Sequence, residues 1–207
     1  IITDADGDTA STDLDLSSGV FEIRDDGPTA NATTGTVDAI TLDESLVSED
    51  GIVTASVNYA ENFATTNNYG TDGAGSIAYS LSLNLPIGST AVDSGLKNLN
   101  GDSIVMSVEN GDIVGKVGST TYFTISNDGS EVTFTQSENI KHGDTNNPDD
   151  SASLSAVANS LVLTQIITDA DGDSASSDLD LSSGVFKIED DGPTAAQPDV
   201  QLLEHNQ

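Results

Sequence analysis

The chain of 207 residues has no cysteine and no tryptophan, and only five of its residues are lysine or arginine. Without cysteine, disulfides and thiolate metal sites are excluded, so a small extracellular domain needs another kind of stabilising cross-link. With so few cations, the chain offers no basic surface for nucleic acid phosphates or anionic lipid. We therefore expect no nucleic acid partner. No apolar run approaches the length of a transmembrane helix, so we expect no direct membrane insertion.

Residues that commonly carry catalysis are also scarce. Two histidines and no cysteine leave no nucleophile–base pair and no histidine-rich metal site. Paired carboxylates, as used in glycoside hydrolysis, carry little information among 35 acidic residues. The chain has no glycine-rich phosphate loop and no aromatic platform for stacking bases. We therefore predict that the protein is not an enzyme and has no catalytic residues.

Negative charge is what the chain has in abundance, with a formal net charge of −30. Cations are the natural small partners of such a protein. The alternative is that the negative charge serves only solubility, but the carboxylates would then be scattered along the chain. Here they are clustered, and crowded carboxylates repel one another unless a counter-ion binds them. The clusters are Asp4/Asp6/Asp8, Asp25/Asp26, Asp43/Glu44, Asp149/Asp150, Asp169/Asp171/Asp173 and Asp190/Asp191.

A long internal repeat sets the domain organisation. The segment 1–30 returns at 166–195 with only four substitutions, none of them at an aspartate. A spacing of 165 residues is that of a whole domain rather than of a short solenoid repeat. We predict that 1–30 is the tail and linker of a preceding repeat, that 31–195 is one complete repeat, and that 196–207 begins another unit or derives from a tag. Pro28 and Pro193 mark extended linkers.

Alternating apolar residues and frequent turn signals predict an all-β repeat, folded as an antiparallel β-sandwich of the immunoglobulin-like or cadherin-like kind with calcium-binding loops. The predicted turns are Asn-Gly at 100 and 110, Asn-Asp-Gly at 127 and Asp-Gly at 171. One short helix fits at 43–49 or at 152–159. The predicted strands are 37–42, 52–60, 76–83, 102–109, 112–117, 120–126, 130–136, 160–168, 174–181 and 185–189.

The Thr-Asp-Ala-Asp-Gly-Asp motif at 168–173 is the main candidate site. A tight loop turns its three alternate carboxylates toward one point, and Ca²⁺ requires six to eight hard oxygens. Asp180 falls where an EF-hand has its last ligand, but the glycine is misplaced and no helices flank the loop, so we exclude an EF-hand. The alternative is an ordinary Asp-Gly turn with solvated side chains. The predicted Ca²⁺ ligands are Asp169, Asp171, Asp173 and Asp180, with Asp4, Asp6 and Asp8 in the first copy.

Two further cation sites are predicted from the remaining clusters. The Asp-Asp-Gly-Pro exits, Asp25/Asp26 and Asp190/Asp191, lie where one repeat joins the next. A cation held by such an exit and by Asp43 and Glu44 of the following domain would stiffen the joint, although acidic linkers are often merely solvated. Asp149 and Asp150, near His142, form the last candidate site, and an ordinary polar surface loop is the alternative there.

Four segments in a fixed order resemble a known family: Phe134–His142, Asp149-Asp150, Ile167–Asp173 and Asp190–Pro193. They are similar to tandem repeats of giant type I secreted bacterial adhesins of the repeats-in-toxin class. The resemblance covers nearly all of 31–195, although 44–120 match only in style. It implies an interior extender module at the bacterial surface, a β-sandwich stiffened by Ca²⁺ and by neighbouring repeats of the same chain.

The sequence leaves a second function and a second partner open. The polar loops at 62–75 and 142–150 also suit a module that binds a glycan or a peptide. Because 1–30 duplicates the strands expected at 166–195, it can compete for their place, which permits strand exchange between chains.

Overall fold

A computed structural model describes residues 1–33, 35–45, 51–64 and 69–192. In these ranges the chain is all-β, with fourteen strands and a single turn of 3-10 helix at Ala60–Asn62. No helix among them has the length and apolar character needed to cross a membrane. The strands are β1 (Ile2–Thr3), β2 (Thr9–Ala10), β3 (Ile40–Asp43), β4 (Thr54–Asn58), β5 (Ala74–Leu83), β6 (Val92–Lys97), β7 (Ser103–Glu109), β8 (Asp112–Val117), β9 (Thr120–Asp128), β10 (Glu131–Gln136), β11 (Ser151–Ser155), β12 (Leu161–Asp169), β13 (Ser174–Asp180) and β14 (Ser183–Glu189).

The strands form several sheets. The largest has the order β4-β10-β9-β8-β7-β6 and is antiparallel throughout. Two three-stranded sheets have the orders β13-β12-β5 and β11-β14-β3, and β14 runs parallel to β3. β1 and β2 pair only with each other among the described strands. This arrangement confirms the all-β prediction and is consistent with a β-sandwich.

Tight glycine turns explain why the large sheet is a meander. Asn110 and Gly111 both have positive φ, 55° and 100°, which suits the two-residue turn between β7 and β8. Gly101 and Gly129 have positive φ at the β6–β7 and β9–β10 turns. All these turns stand at predicted positions. The register of each hairpin therefore follows from local turn chemistry.

Within the repeat, two strands were not predicted from the sequence. The sequence patterns predict no strand at β6. They allow a helix at 152–159, where the structure has β11. That helix is wrong, because Ala152 pairs with Ile188 of β14 and Leu154 is fully buried. The other helix position, 43–49, falls largely outside the described residues.

Aromatic side chains hold the sheets together. Phe134 of β10 packs edge-to-face against Phe123 at 5.6 Å and against Phe186 of β14 at 5.2 Å between ring centroids. All three rings are fully buried, and such pairs contribute beyond their buried area. β14 therefore joins its own sheet to the six-stranded one through the core. Other fully buried side chains are Ile40, Leu42, Tyr59, Phe63, Ile104, Met106, Ile113 and Ile125.

The linker that precedes the repeat lies against the domain. The Ala32 backbone N–H donates to Ser177 Oγ on β13 at 2.6 Å, and Ala32 also bridges to Phe63. Farther back, the backbone of Asp26 approaches Gly70 so closely that a Cβ at Gly70 would collide with it. These contacts place Asp26 beside Gly70, shortly before β5, and Ala32 beside β13.

Candidate metal centre

The loop between β12 and β13 is built around one carboxylate. Asp169 Oδ1 accepts hydrogen bonds from the backbone N–H groups of Gly172 at 3.0 Å and Asp173 at 2.8 Å. The Asp169 N–H donates to the Asp173 carbonyl at 3.0 Å, and Gly172 supplies the φ of 110° that the turn requires. Asp169 Oδ1 therefore stabilises the loop, and Asp169 Oδ2 takes no part in these hydrogen bonds.

That second oxygen has no partner in the part of the chain that the structure describes. Asp169 is only 3% exposed, and its Oδ2 is buried without a hydrogen bond. A buried carboxylate oxygen costs free energy unless a donor or a cation compensates for the lost water. Asp169 Oδ2 is therefore available to a further donor or to a cation.

A β-bulge brings a further carboxylate to the same place. Thr168 pairs with Ser76 but Asp169 pairs with Ala74, so Gly75 is the extra residue in β5. A Cβ on Gly75 would collide with the Asp169 carbonyl, so the close approach of the two strands requires glycine. The bulge places Asp72, just before β5, beside the loop that follows β12.

Five carboxylates meet here. Ligand oxygens of Asp169, Asp171 and Asp173 lie within 4.8 Å of one another, and so do those of Asp25, Asp72 and Asp171. Asp171 belongs to both groups, and we call the five residues together the carboxylate cluster. Asp25 comes from the segment before the repeat, whereas the other four belong to the repeat.

The pKa values show how crowded these carboxylates are. The adjoining Asp169 carboxylate raises the pKa of Asp171, and Asp25 raises that of Asp173. Burial, followed by Asp25, raises the pKa of Asp72. Burial also acts to raise the pKa of Asp169, but Asp171 and the loop N–H groups outweigh it, and the net shift is downward. A bound cation would relieve this repulsion.

The first copy of the motif forms the same loop in isolation. Asp4 Oδ1 accepts from the N–H groups of Gly7 at 3.2 Å and Asp8 at 2.9 Å. Asp4, Asp6 and Asp8 also have ligand oxygens within 4.8 Å of one another, but all three residues are exposed. This loop lacks the two outside carboxylates and the burial that distinguish the carboxylate cluster.

Asp180 and Asp150 have structural partners instead. Asp180 stands at the far end of β13 from the cluster, and its oxygens accept from the N–H groups of Ser182 at 2.9 Å and Asn159 at 3.0 Å. Asp150 Oδ2 accepts from the N–H groups of Gly143 and Asp144, which lower its pKa and close the loop. Each of these carboxylates stabilises its own turn.

The sequence predicted one cation site shared by Asp25/Asp26 and Asp43/Glu44. In the structure these residues do not form one group. Asp25 meets Asp72 and Asp171, and Asp43 Oδ1 accepts from the Ser45 N–H at 2.8 Å. Glu44 lies instead with His142 and Asp190. Among the described residues, the remaining predicted ligands join no group of three: Asp26, Asp43, Asp149 and Asp191.

Sequence reasoning missed Asp72 as a candidate ligand. Its only signal is its position in a glycine-rich turn, Gly70-Thr-Asp-Gly-Ala-Gly75, ahead of a predicted strand. The pairing of β5 with β12 makes that turn a neighbour of the aspartate loop, and the sequence does not reveal this pairing.

Fold and site together define an all-β module with a cluster of five carboxylates at the β12–β13 turn. Residues 39–182 match the model of a family described as a domain of unknown function, DUF5801, and the chain belongs to that family. No curated protein and no solved structure matches the chain.

Proposed function

We propose that the protein is a calcium-dependent extender module of a large, type I secreted bacterial adhesin of the repeats-in-toxin class. In this proposal the repeat is an immunoglobulin-like or cadherin-like β-sandwich at the cell surface, and Ca²⁺ stiffens its joint with the preceding repeat. One observation carries the proposal. Asp25, from before the repeat, shares the carboxylate cluster with Asp72 and Asp171 within it.

The donors suit Ca²⁺ better than other common ions. All are carboxylate oxygens. Ca²⁺ takes six to eight oxygen ligands of any kind in flexible geometry, whereas Mg²⁺ demands a near-ideal octahedron. The buried Asp169 Oδ2 supplies an oxygen that nothing else in the described chain uses. A calcium ion held there would connect the linker, the start of β5 and the end of β12.

The charge of the chain gives the binding a role in folding. At a net charge of −30, the carboxylates repel one another in a compartment poor in calcium and oppose compaction. Outside the cell, millimolar Ca²⁺ would neutralise the cluster and couple binding to folding. The chain would then cross an exporter unfolded and become a stiff module outside, where it provides reach rather than turnover.

The test is thermal unfolding of the whole chain in EGTA and in Ca²⁺. Ligand at a hundredfold excess over its Kd adds about 2.7 kcal/mol to the free energy of unfolding, so we expect a clear rise in Tm. Asp171→Asn should remove most of that rise. Asp6→Asn, the same change in the first copy, should preserve it, because Asp6 is not coupled to the core. A Tm that is indifferent to the chelator contradicts the proposal.

A second candidate function, recognition of a glycan or a peptide, rests on one cavity. About 440 Å³ in volume, it is lined by Gly143 and His142 and by Lys97 and Lys141. Two of the chain's five basic residues therefore border one pocket, which favours an acidic ligand. Saturable binding to an acidic glycan that Lys97→Ala weakens would support this function, and a blank array of acidic glycans and peptides would count against it.

A further inference from the structure

Three ionisable side chains converge at a second place, where two strands end. Glu44 directly follows β3, and its N–H donates to the Glu189 carbonyl at 3.0 Å, which continues the parallel pairing. Asp190 directly follows β14, and its N–H donates to the Asp150 carbonyl at 2.9 Å. His142 lies on the segment that the Lys141 N–H ties to β6. Backbone hydrogen bonds therefore hold all three elements in place.

His142 is buried without a hydrogen bond. Its side chain is 5% exposed, that of Glu44 is 3% exposed, and His142 Nε2 lies 3.8 Å from Glu44 Oε2. This distance is too long for a hydrogen bond. Neither imidazole nitrogen has a partner among the described residues. Buried imidazole nitrogens usually have a hydrogen-bond or metal partner, so both nitrogens of His142 are available to one.

Glu44 is positioned to offer one free oxygen to the same point. Its Oε1 accepts from the Ile140 N–H at 2.8 Å and from Gln136 Nε2, which leaves Oε2 facing His142. Burial raises the pKa of Glu44, and the nearby Asp190 carboxylate adds to the shift. Two carboxylates and one imidazole thus face one another, and a cation between them would relieve the repulsion of the carboxylates.

We propose that Glu44, His142 and Asp190 bind a divalent transition-metal ion of the zinc class, at a site separate from the carboxylate cluster. Ligand atoms of the three residues lie within 4.8 Å of one another. An imidazole nitrogen beside carboxylate oxygens suits Zn²⁺ and its neighbours in the transition series, whereas Ca²⁺ takes oxygen ligands. Three protein ligands and one water complete a tetrahedral site.

The separation of His142 from Glu44 needs only a small contraction to fit a zinc ion, and a ligand oxygen of Asp190 lies within 4.8 Å of theirs. Ligand atoms on one tetrahedral zinc ion lie roughly 3.3 Å apart, so the 3.8 Å between Nε2 and Oε2 must shorten by about half an ångström. His142 also borders the 440 Å³ cavity.

The site differs from the calcium cluster in what it connects. Asp190 is the equivalent of Asp25 in the second copy of the repeated segment. Asp25 belongs to the carboxylate cluster, whereas Asp190 lies with Glu44 and His142. A metal at Asp190 would fasten the end of β14 to the end of β3, within one repeat. It would stabilise the exit strand of the module, whereas the carboxylate cluster holds the entering linker.

The test is a calorimetric Zn²⁺ titration of the whole chain, stripped of metals and then kept in excess Ca²⁺. We expect one saturable site and a Zn²⁺-dependent rise in Tm. His142→Gln and Asp190→Asn should each weaken binding by at least roughly tenfold. The matched controls, His205→Gln for the other histidine and Asp25→Asn for the equivalent exit aspartate, should bind Zn²⁺ as the unchanged chain does.

The variants also separate this proposal from the calcium one. Asp190→Asn should lose Zn²⁺ affinity and keep the Ca²⁺-dependent rise in Tm, and Asp25→Asn should do the reverse. Absence of saturable Zn²⁺ binding, or binding that survives both His142→Gln and Asp190→Asn, overturns the proposal. If His142→Gln fails to fold, Asp190→Asn alone decides, because Asp190 lies outside the strands and is only half-buried.

Discussion

The two copies of the repeated segment have nearly the same sequence and very different surroundings. Phe21 is 81% exposed, whereas Phe186 at the equivalent position is fully buried. Ile23 is 100% exposed and Ile188 is fully buried. The same contrast holds for the other apolar pairs, Leu14 and Leu179, Leu16 and Leu181, and Val20 and Val185. Burial is therefore decided by the partners available and not by the segment itself.

The turns, by contrast, are alike in the two copies. Asp4 and Asp169 each organise an identical loop through Oδ1. After it, the Ser17 N–H donates to Asp15 Oδ1 and the Ser182 N–H to Asp180 Oδ1, both at 2.9 Å. Turn chemistry needs only a few adjacent residues, whereas strands need neighbours. The second copy finds those neighbours in β5, β3 and β11.

The largest expected difference between the copies is in core packing. Phe186→Ala should lower the free energy of unfolding by about 3–5 kcal/mol, because it removes a ring that packs against Phe134. Phe21→Ala should change it by less than about 0.5 kcal/mol, since the ring is exposed. Urea unfolding in Ca²⁺ measures both. Equal losses would show that the first copy competes for the place beside β3, as strand exchange requires.

A smaller difference is expected at the loop glycines. Gly172 and Gly7 have φ of 110° and 100°, and neither has a neighbour that a Cβ would meet. Alanine at either position strains only the backbone, by about 1–2 kcal/mol. Gly172→Ala should lower the Tm of the domain because its loop is part of the β12–β13 pairing. Gly7→Ala should leave Tm unchanged, and a similar fall in both variants would mean that the β1–β2 hairpin is coupled to the core.

The smallest expected effect is on the dependence of stability on pH. The folded-state pKa values of Asp72, Asp171 and Asp173 are raised, so the folded state takes up protons first as the pH falls toward the usual value of 3.8. In EGTA, Tm should rise on mild acidification, and this stability is lost again as the pH rises through the raised values. Below about pH 3.8 the trend should reverse, because hydrogen bonds lower the pKa of Asp180.

The copies again provide the control for this pH effect. Asp171→Asn should reduce the acid-induced gain in Tm, and Asp6→Asn should not. Saturating Ca²⁺ should abolish the gain, since protons and the cation compete for the same oxygens. A gain of equal size in all variants would assign it to the overall charge of −30 and not to the cluster.

Sequence patterns predicted most strands and every proposed hairpin turn, because alternation and Asn-Gly or Asp-Gly signals are local. β6 was missed because its pattern is interrupted. Gly95 has a φ of 80°, and Ser94 is fully buried with its hydroxyl donating to the Ile104 carbonyl at 2.6 Å. A buried serine and a glycine at positive φ hide the apolar alternation that marks a strand.

The candidate sites were predicted only in part, for a different reason. The alternate aspartates of the β12–β13 loop are visible in the sequence, but their companions Asp25 and Asp72 arrive through strand pairing. Likewise, Glu44 meets Asp190 because β3 and β14 run parallel with Asp43 opposite Glu189. Nothing in a single sequence states that the first and last strands of a repeat lie side by side.

This parallel pairing also bears on how the module would carry load. β3 lies near the start of the repeat and β14 at its end, with Phe186 paired to Ile40 and Ile188 to Leu42. Tension applied to the two ends of a repeat would draw these strands in opposite directions along their length. Their hydrogen bonds would then be loaded together in shear and not opened one after another.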